Sequence, residues 1–271
     1  LITGGAGYIG STLANKFLDK KHKVTIIDNL VRGSKLNIPK KSNFIKCDIG
    51  NIKKLRKMEI DSHDIVIHCA ALIDSQESLV KKKLYYENNF IKSKTFFNFC
   101  IEKGIKNFIF SSTAAVYGNS NRSVHEKSIT KPLAPYGHSK LKFENFLKKS
   151  RKDINYVILR YFNVAGVEKK MRSGFKIKNN RSLFSNLCKS FLNDKKFYVF
   201  GKNFKTKDGT AVRDFIYISD LVEIHYLFSI NIMKKKIRSI FNCGYGYGFS
   251  VMDIIRELKN LSSKRLNYVF K

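Results

Sequence analysis

Thr3-Gly4-Gly5-Ala6-Gly7-Tyr8-Ile9-Gly10 is the stretch that decides the fold of this 271-residue chain. It follows a short apolar run and precedes apolar residues at helical spacing, so a strand, a glycine turn and a helix come in succession. Gly4 permits the tight turn, Gly7 lets the backbone approach a pyrophosphate, and Gly10 allows close packing of the helix. A merely flexible turn is the alternative, but the flanking elements favour a nucleotide-binding turn whose helix N-terminus faces phosphates.

An acidic residue follows the next predicted strand. Lys23–Ile27 reads as that strand and ends at Asp28, about 20 residues beyond the glycines. A carboxylate there accepts hydrogen bonds from an adenosine ribose and repels a 2′-phosphate, so Asp28 indicates NAD rather than NADP. Arg32 and Lys35 lie close enough in sequence to keep NADP as the alternative.

Further predicted strands alternate with helices along the chain: Asn43–Cys47, Asp64–His68, Lys106–Phe110 and Asn155–Leu159. A long helix is predicted over Tyr85–Cys100, between the second and third of these strands. This alternation predicts an α/β fold, a doubly wound parallel (Rossmann) sheet with a smaller mixed α/β substrate-binding lobe. We expect residues 1–163 to form the NAD-binding domain and residues 164–271 mainly the lobe, with some segments returning to the first domain. The lobe is predicted to hold a loop over 166–180, a strand over Lys196–Phe200, and helices over Leu183–Phe191, Asp220–Phe228 and Val251–Leu261, the last capped by Ser250.

The composition restricts the classes of function. Lys and Arg total 52 against 21 Asp and Glu, a formal net charge of +31. The lysines are spread along the whole chain, so we expect no nucleic-acid partner, and a basic nucleic-acid-binding protein is the distant alternative. No apolar run has the length of a membrane span, so no membrane partner is expected. The five scattered cysteines lack metal-binding spacing and predict reduced thiols in a cytoplasmic protein without a metal site. Leu1 is not a start residue, and we expect the natural chain to be longer at both ends.

Proton-transfer chemistry is predicted for Tyr136 and Lys140. Pro135 suits a helix entry, and residues four apart share a helix face. The phenol and the ammonium would lie side by side, and the positive charge would lower the pKa of the phenol. A helix surface with an aromatic residue and a lysine is the alternative for this pair alone. The hydroxyls of 111–113, at the carboxyl end of a predicted parallel strand, favour a ligand site.

With these residues in place, the chain resembles the extended short-chain dehydrogenase/reductase family and, within it, the 4-epimerases of UDP-glucose and UDP-galactose. The resemblance covers nearly the whole chain and is carried by residues 3–11, 28–30, 85–89, 110–118, 136–140 and 160–163. The stretch most specific to the epimerases is Asp208-Gly209-Thr210-Ala211-Val212-Arg213-Asp214. The resemblance implies an NAD-dependent isomerase that inverts C4 of a UDP-hexose through a transient 4-keto intermediate, works as a homodimer and serves galactose metabolism.

The resemblance also implies roles for individual residues. Tyr136 would be the acid/base, Lys140 its ammonium partner, and Thr113 the hydroxyl that binds the sugar 4-oxygen. The implied NAD positions are Gly4, Gly7, Tyr8, Ile9, Gly10, Asp28, Asn29, Asp48, Ile49, Ala70, Ala71, Asn88, Ser111, Tyr136, Lys140 and Tyr161. The implied nucleotide-sugar contacts are Thr113, Tyr136, Asn163, Leu183, Tyr198, Val199, Phe200 and Arg213, with Arg213 on the diphosphate and Leu183 and Tyr198–Phe200 along the uridine pocket.

Related nucleotide-sugar enzymes, the 4,6-dehydratases and the UDP-glucuronate epimerases and decarboxylases, are the alternatives within the family. The dehydratases carry Asp-Glu directly after the active-site Thr, whereas this chain has Ala114 and Ala115, which cannot move protons. The chain departs from the epimerase pattern at Ile73, where some epimerases carry a cofactor-holding Lys, and at Gln76, which replaces a common Gly. It ends at Lys271, before the family's second diphosphate-binding Arg segment, so we expect residues 1–271 to bind NAD better than a UDP-sugar.

Overall fold

The computed structural model describes residues 1–58, 60, 63–120, 123–175, 182–262 and 266–271. Its strands are β1 (Ile2–Thr3), β2 (Thr25–Asp28), β3 (Asn43–Lys46), β4 (Val66–His68), β5 (Asn107–Thr113), β6 (Asn155–Tyr161), β7 (Asn163–Ala165), β8 (Phe197–Val199), β9 (Val212–Arg213), β10 (Phe215–Tyr217), β11 (Arg238–Cys243), β12 (Phe249–Ser250) and β13 (Tyr268–Phe270). Its α-helices are α1 (Tyr8–Asp19), α2 (Ile52–Leu55), α3 (Ser75–Val80), α4 (Lys82–Tyr86), α5 (Ser93–Glu102), α6 (Pro135–Lys148), α7 (Leu183–Leu192), α8 (Ile218–Lys234) and α9 (Val251–Leu261). Short 3₁₀ turns lie at Lys35–Asn37 and Ala114–Val116, and a π-helical turn over Glu87–Lys92 joins α4 to α5.

A seven-stranded parallel sheet forms the centre of the protein, in the order β3-β2-β1-β4-β5-β6-β11. Ile2 of β1 pairs with Ile26 on one side and with Ile67 on the other. The chain therefore winds outward in both directions from β1, which confirms the predicted doubly wound parallel sheet. Ligands of such sheets bind at the carboxyl ends of the strands where the winding direction reverses, here beside β1 and β4.

Helices cover both faces of this sheet. One face packs against α5 and α6, which contribute Phe96, Phe99 and Phe143 to the core. The opposite face packs against α1 and α8, which contribute Leu13 and Leu221. Because the strands are buried on both faces, their sequences are nearly continuous apolar runs rather than alternating ones.

The smaller lobe is built from three short strand pairs and two helices. β10 pairs with β7, β12 with β9, and β13 with β8. α9 begins at Ser250, whose hydroxyl accepts the Asp253 N–H at 2.9 Å while the Asp253 carboxylate accepts the Ser250 N–H at 2.8 Å. This capping box confirms the predicted N-cap. Between these parts, α8 packs on the main sheet and β11 extends its edge.

Several predicted elements differ in extent from the observed ones, and the helix predicted over Asp220–Phe228 runs from Ile218 to Lys234. The helix predicted from Tyr85 runs from Lys82 to Glu102 and contains the π turn. β5 extends three residues beyond its predicted end, so the hydroxyl residues 111–113 belong to the strand. Residues 166–175 of the predicted loop contain neither helix nor strand, and the rest of that loop lies outside the described residues. Within the part of the chain that the structure describes, no helix is long and apolar enough to cross a membrane.

Candidate active site

The glycine turn forms a cradle at the start of α1. Because α1 begins at Tyr8, the N–H groups of Tyr8, Ile9 and Gly10 have no partner within the helix. Gly7 precedes them and offers no side-chain cap. A Cβ at Gly10 would lie 2.3 Å from the carbonyl oxygen of Gly4, whose own φ is +70°. The cradle presents backbone donors and the positive end of the helix dipole, which fits the pyrophosphate of NAD.

Asp28 ends β2 beside this cradle and is 9% exposed. Its carboxylate accepts the N–H of Ala6 at 3.1 Å and the N–H of Leu30 at 2.7 Å. Burial raises the pKa of Asp28, and these two hydrogen bonds oppose the shift. Arg32, the alternative reader of a 2′-phosphate, pairs instead with Glu77. The charged group beside the glycine turn is therefore the Asp28 carboxylate, which favours an adenosine ribose with a free 2′-hydroxyl over one with a 2′-phosphate.

Asn29 and Asp48 bind each other next to Asp28. The Asn29 amide donates to Asp48 at 3.0 Å, and Asp48 also accepts the Lys92 ammonium at 2.9 Å and the Gly50 N–H at 2.8 Å. Burial acts to raise the pKa of Asp48, but these partners outweigh it and the net pKa is lowered. The two residues thus belong to one fixed network beside the end of β2, and Ile49, next to Asp48 in sequence, is buried. Their contacts with NAD stay predictions.

The segment 166–175 is fastened to the glycine turn. The Tyr8 hydroxyl donates to the Gly166 carbonyl at 2.5 Å, and the Tyr8 ring lies 3.9 Å from that of Phe175. Further along, Gly174 exchanges two hydrogen bonds with the side chain of Asn37, at 2.9 and 3.3 Å. Asn37 lies in the segment after β2, so these contacts join residues 166–175 both to the glycine turn and to the segment after β2.

Tyr136 lies half-buried in the first turn of α6, beside the end of β5. The Thr113 hydroxyl accepts the Ala115 N–H at 3.1 Å and lies near enough to the Tyr136 phenol to lower its pKa. α6 approaches this closely because Gly137 has no side chain: a Cβ there would lie 2.8 Å from the Ala115 carbonyl oxygen. The structure therefore brings together the two hydroxyls predicted to handle the proton.

Lys140 is buried one helical turn further along α6, with 3% exposure. Its ammonium donates to the Ser111 carbonyl at 2.7 Å and lies 4.7 Å from the centre of the Phe110 ring. Burial lowers the pKa of Lys140 to about 8, and the nearby Cys69 and Glu144 oppose the shift. An ammonium has three N–H donors, and the bond to Ser111 uses one of them.

The prediction that Lys140 lowers the pKa of Tyr136 is wrong for the protein without bound NAD. Burial raises the pKa of Tyr136, and the nearby Thr113 hydroxyl is the influence that lowers it. Lys140 is turned toward a carbonyl of β5, so its charge does not dominate at the phenol. A pKa below the ordinary value for tyrosine therefore requires a further positive charge, such as the nicotinamide ring of NAD.

Ser111 and Tyr161 use their hydroxyls inside the protein. The two oxygens are 2.6 Å apart, and the Tyr161 hydroxyl is 2.6 Å from Nε2 of His225. His225 Nδ1 donates to the Leu221 carbonyl at 2.9 Å, so Nε2 is the acceptor for Tyr161. Burial lowers the pKa of His225 to about 4, which keeps the imidazole neutral. These hydroxyls are therefore already engaged within the protein, and the contacts of Ser111 and Tyr161 with NAD stay predictions.

Asn89 is the buried amide of the π turn, with 1% exposure. It exchanges two 2.9 Å hydrogen bonds with the backbone of Leu72 and donates to the Ser139 hydroxyl at 3.1 Å. These bonds hold the segment after β4, which contains Ala70 and Ala71, against α6. Asn88 is half-buried and donates to Asn89 at 3.1 Å, and its contact with NAD stays a prediction.

Asn163 and Arg213, which are both predicted to bind the nucleotide sugar, lie on neighbouring segments. Arg213 is exposed in β9, which pairs with β12 at the start of α9. Asp208, in the turn before β9, accepts the hydroxyl of Ser250 and so fastens the turn to the α9 cap. Asn163 donates its backbone and side-chain N–H groups to the carbonyl of Asp214 at 3.1 and 3.0 Å. Arg213 is thereby held next to the segment that carries Asn163.

The predicted uridine-binding residues fall on different sides of the lobe. Tyr198 and Phe200 are 48% and 66% exposed, whereas Val199 is 1% exposed and packs in the lobe core with Leu187. A side-chain contact of Val199 with uridine is therefore wrong, because alternate residues of a strand point to opposite faces. Leu183, at the start of α7, packs half-buried against the same core.

Sequence reasoning missed a buried ion pair beneath the site. Arg160 of β6 and Glu144 of α6 are 2.6 Å apart and are 1% and 0% exposed. A charged residue at the end of the apolar run of β6 signals a buried partner, because an unpaired charge there is costly. The spacing also gave a signal, since Glu144 shares a helix face with Lys140.

Comparison with known proteins agrees with this geometry. Residues 1–244 match the model of the NAD dependent epimerase/dehydratase family. The UDP-glucose 4-epimerase of Azospirillum brasilense is 37% identical over 275 residues, which cover 100% of this chain and 79% of that protein. The structure of UDP-glucose 4-epimerase from Brucella ovis in complex with NAD is similar at a TM-score of 0.94 and 29% identity, covering 100% and 84% of the two chains. That of the Bifidobacterium longum enzyme with NAD⁺ and UDP gives 0.87 and 28%, covering 100% and 85%.

Proposed function

Because this chain belongs to the NAD dependent epimerase/dehydratase family, we propose that it inverts C4 of a UDP-hexose and interconverts UDP-glucose and UDP-galactose. The observation that carries the proposal is the meeting, at one edge of the sheet, of a pyrophosphate cradle with the Tyr136, Thr113 and Lys140 cluster. A cradle alone fits many nucleotide-binding proteins. The adjoining phenol, hydroxyl and ammonium add the means to oxidise and reduce a sugar alcohol.

The site fits NAD as its cofactor. The glycine turn and the N-terminus of α1 would hold the pyrophosphate, Asp28 the adenosine ribose, and Lys140 the nicotinamide ribose. NAD, when bound, would supply a hydride acceptor and donor for C4 and would be restored at the end of each turnover. The chain's own contribution is to bind, orient and exchange a proton.

Tyr136 takes the proton of the C4 hydroxyl during oxidation. It returns the proton when the 4-keto sugar presents its other face to the cofactor and is reduced. Thr113 would bind the sugar 4-oxygen and share the proton, because its hydroxyl lies close enough to the phenol to influence its pKa. At an ordinary pKa of about 10, only about one tyrosine in a thousand is ionised near pH 7. Burial makes ionisation harder still, so the transfer depends on the positive charges that surround the phenol in the loaded site.

The residues after Thr113 favour epimerisation over dehydration. Ala114 and Ala115 lie in the 3₁₀ turn beside the site and carry no group that can move a proton. Loss of water from the keto sugar needs an acid and a base near its far carbons. Incubation with UDP-galactose and NAD⁺ should therefore yield UDP-glucose. A 4-keto-6-deoxy sugar as the main product would overturn the proposal.

A second copy of this chain is the partner that we propose for the surface of α3 and α4. Leu79, Val80, Leu84 and Tyr86 are 45%, 85%, 46% and 38% exposed there. An apolar group of this kind marks an interaction surface, and most soluble homo-oligomers are two-fold symmetric. Light scattering should give twice the chain mass of 31.3 kDa, and Leu84→Glu should halve it. A monomer mass for the parent protein would contradict the homodimer.

We also assign the enzyme to galactose metabolism in the cytoplasm. The five cysteines are free thiols, which fits a reducing compartment. Fractionation of the source cells with an antibody to the chain should recover it with cytoplasmic markers, and recovery in an oxidising compartment would contradict the assignment.

A further inference from the structure

A buried ion pair lies beneath the active-site residues. Arg160 of β6 donates Nε to Glu144 Oε1 at 3.0 Å and Nη2 to Glu144 Oε2 at 2.6 Å. A planar guanidinium and a carboxylate that share two parallel bonds match in one orientation. Because Glu144 belongs to α6, the pair joins the helix that carries Tyr136 and Lys140 to a central strand of the sheet.

Glu144 also binds the strand that carries Thr113. The Ser112 hydroxyl donates to Glu144 Oε1, the same oxygen that accepts from Arg160. Ser112 stands between Ser111 and Thr113, whose carbonyl and hydroxyl contact the active-site residues of α6. One carboxylate therefore ties α6 to β5 and β6 at once, directly below the groups that would handle the proton.

The far side of Arg160 is held independently of α6. Its Nη1 donates to the Tyr117 hydroxyl at 2.8 Å and to the Glu126 carbonyl at 3.2 Å. The guanidinium carbon lies 4.9 Å from the centre of the Tyr117 ring. Tyr117 in turn donates to the Asn242 side chain of β11 at 2.7 Å. These contacts hold the guanidinium to the sheet without any contribution from Glu144.

We propose that Glu144 and Arg160 are positioning residues for the epimerase reaction, which hold Tyr136 against Thr113 and Lys140 against β5. The proposal rests on the proposed function. Proton transfer needs its heavy atoms within hydrogen-bond reach, so a small displacement of α6 would slow it. The Glu144 carboxylate also favours the charged form of the Lys140 ammonium, which lies one helical turn away.

Stability alone is a poor reason to keep such a pair. Taking two charges out of water is costly, and an apolar pair of similar volume often leaves a protein as stable as before. An apolar pair would fill the same space but could not bind Ser112 or hold α6 in one orientation. Replacement of both partners together therefore separates a positioning role from a structural one.

The test compares Glu144→Leu/Arg160→Met with the parent enzyme, both loaded with NAD. We expect the double variant to fold and retain NAD, with kcat lowered at least about tenfold and KM unchanged. The alkaline limb of its pH–rate profile should move to lower pH, since Lys140 loses a neighbouring carboxylate. Glu102→Gln, at the exposed Arg56–Glu102 pair, is the matched control and should leave these quantities unchanged. Parent-like kcat and pH profile in the double variant would overturn the proposal.

A second variant covers the case in which the double variant does not fold. Ser112→Ala removes one hydrogen bond to Glu144 and leaves the ion pair in place, and it should lower kcat at least about threefold. An unchanged kcat in this variant would also overturn the proposal.

A measurement without turnover separates this proposal from the proposed function. If the parent shows no epimerase activity, the proposed function fails. The coupling between Glu144 and Lys140 is then read from an NMR titration of the Lys140 side chain, assigned with Lys140→Met. Lys140 should lose its proton at lower pH in Glu144→Gln than in the parent, and equal midpoints would count against the positioning role.

Discussion

Replacement of Asp28 by Asn should relax the discrimination between NAD and NADP. The carboxylate ends β2 at 9% exposure, and the N–H groups of Ala6 and Leu30 hold its two oxygens, so it cannot swing away from a ligand at the ribose. A 2′-phosphate would bring a second negative charge to this place. Two unit charges about 4 Å apart at an effective dielectric constant near 20 interact by about 4 kcal/mol. That energy corresponds to roughly a thousandfold preference for NAD.

Asn keeps the size of the side chain but removes its charge. It can accept only one of the two backbone N–H bonds, and the loss of the other costs about 1–3 kcal/mol of folding stability. An uncharged amide oxygen also accepts a ribose hydroxyl less strongly than a carboxylate does, by about 1 kcal/mol, so binding of NAD should weaken by roughly five- to tenfold while the NAD/NADP affinity ratio falls toward one. Isothermal titration of the cofactor-depleted protein with each cofactor measures both changes, and Asp28→Glu, which retains the charge, is the control. Equal binding of both cofactors by the parent, or an unchanged ratio in Asp28→Asn, would refute the reasoning and point to Arg32.

Three further predictions concern the cradle and the proton-handling groups. Gly10→Ala should abolish retention of NAD, because its Cβ would lie 2.3 Å from a backbone oxygen. Gly174→Ala, with no described atom within 4 Å of the new Cβ, is the control and should retain NAD. Equal retention of NAD by the two variants would contradict this prediction. Thr113→Val should lower kcat less than Tyr136→Phe does, because Val keeps the volume and loses only the hydroxyl, and equal losses would argue against a secondary role. Lys140→Met should weaken NAD binding, because it removes the ammonium that is proposed to bind the nicotinamide ribose. Between pH about 8 and 10.5 the unfolded chain holds the Lys140 proton that the folded chain has lost, so the contribution of Lys140 to the free energy of unfolding rises with pH. Urea titrations of Lys140→Met should lack this rise, and an identical pH dependence would speak against the buried ammonium.

The cradle and the sheet could be predicted because they depend on residues that are close in sequence. Gly4 and Gly10 belong to the same short glycine turn, and their spacing in sequence is enough to bring their backbones into contact. Asp28 follows from the end of a strand, and Ser250 from the start of a helix. In each case the local spacing determines the geometry.

The mistaken and missed features depend on contacts between distant segments. The ammonium of Lys140 meets a carbonyl 29 residues away, so helix periodicity placed it beside Tyr136 without showing where its charge points. Ser111 and Tyr161 are 50 residues apart, and their pairing appears only when β5 and β6 lie side by side. Val199 lies in a strand of three residues, which is too short for alternation to reveal the core side.

Turnover of UDP-galactose by the NAD-loaded parent and its Tyr136→Phe variant is the most direct test of the central claim. The phenol lies near the Thr113 hydroxyl, and Phe keeps its ring while removing the proton carrier. We expect UDP-glucose from the parent, and from the variant a kcat lowered at least about a hundredfold with NAD still bound. Near-normal formation of UDP-glucose by the NAD-loaded Tyr136→Phe protein would mean that another group moves the proton and that α6 is not the chemical centre.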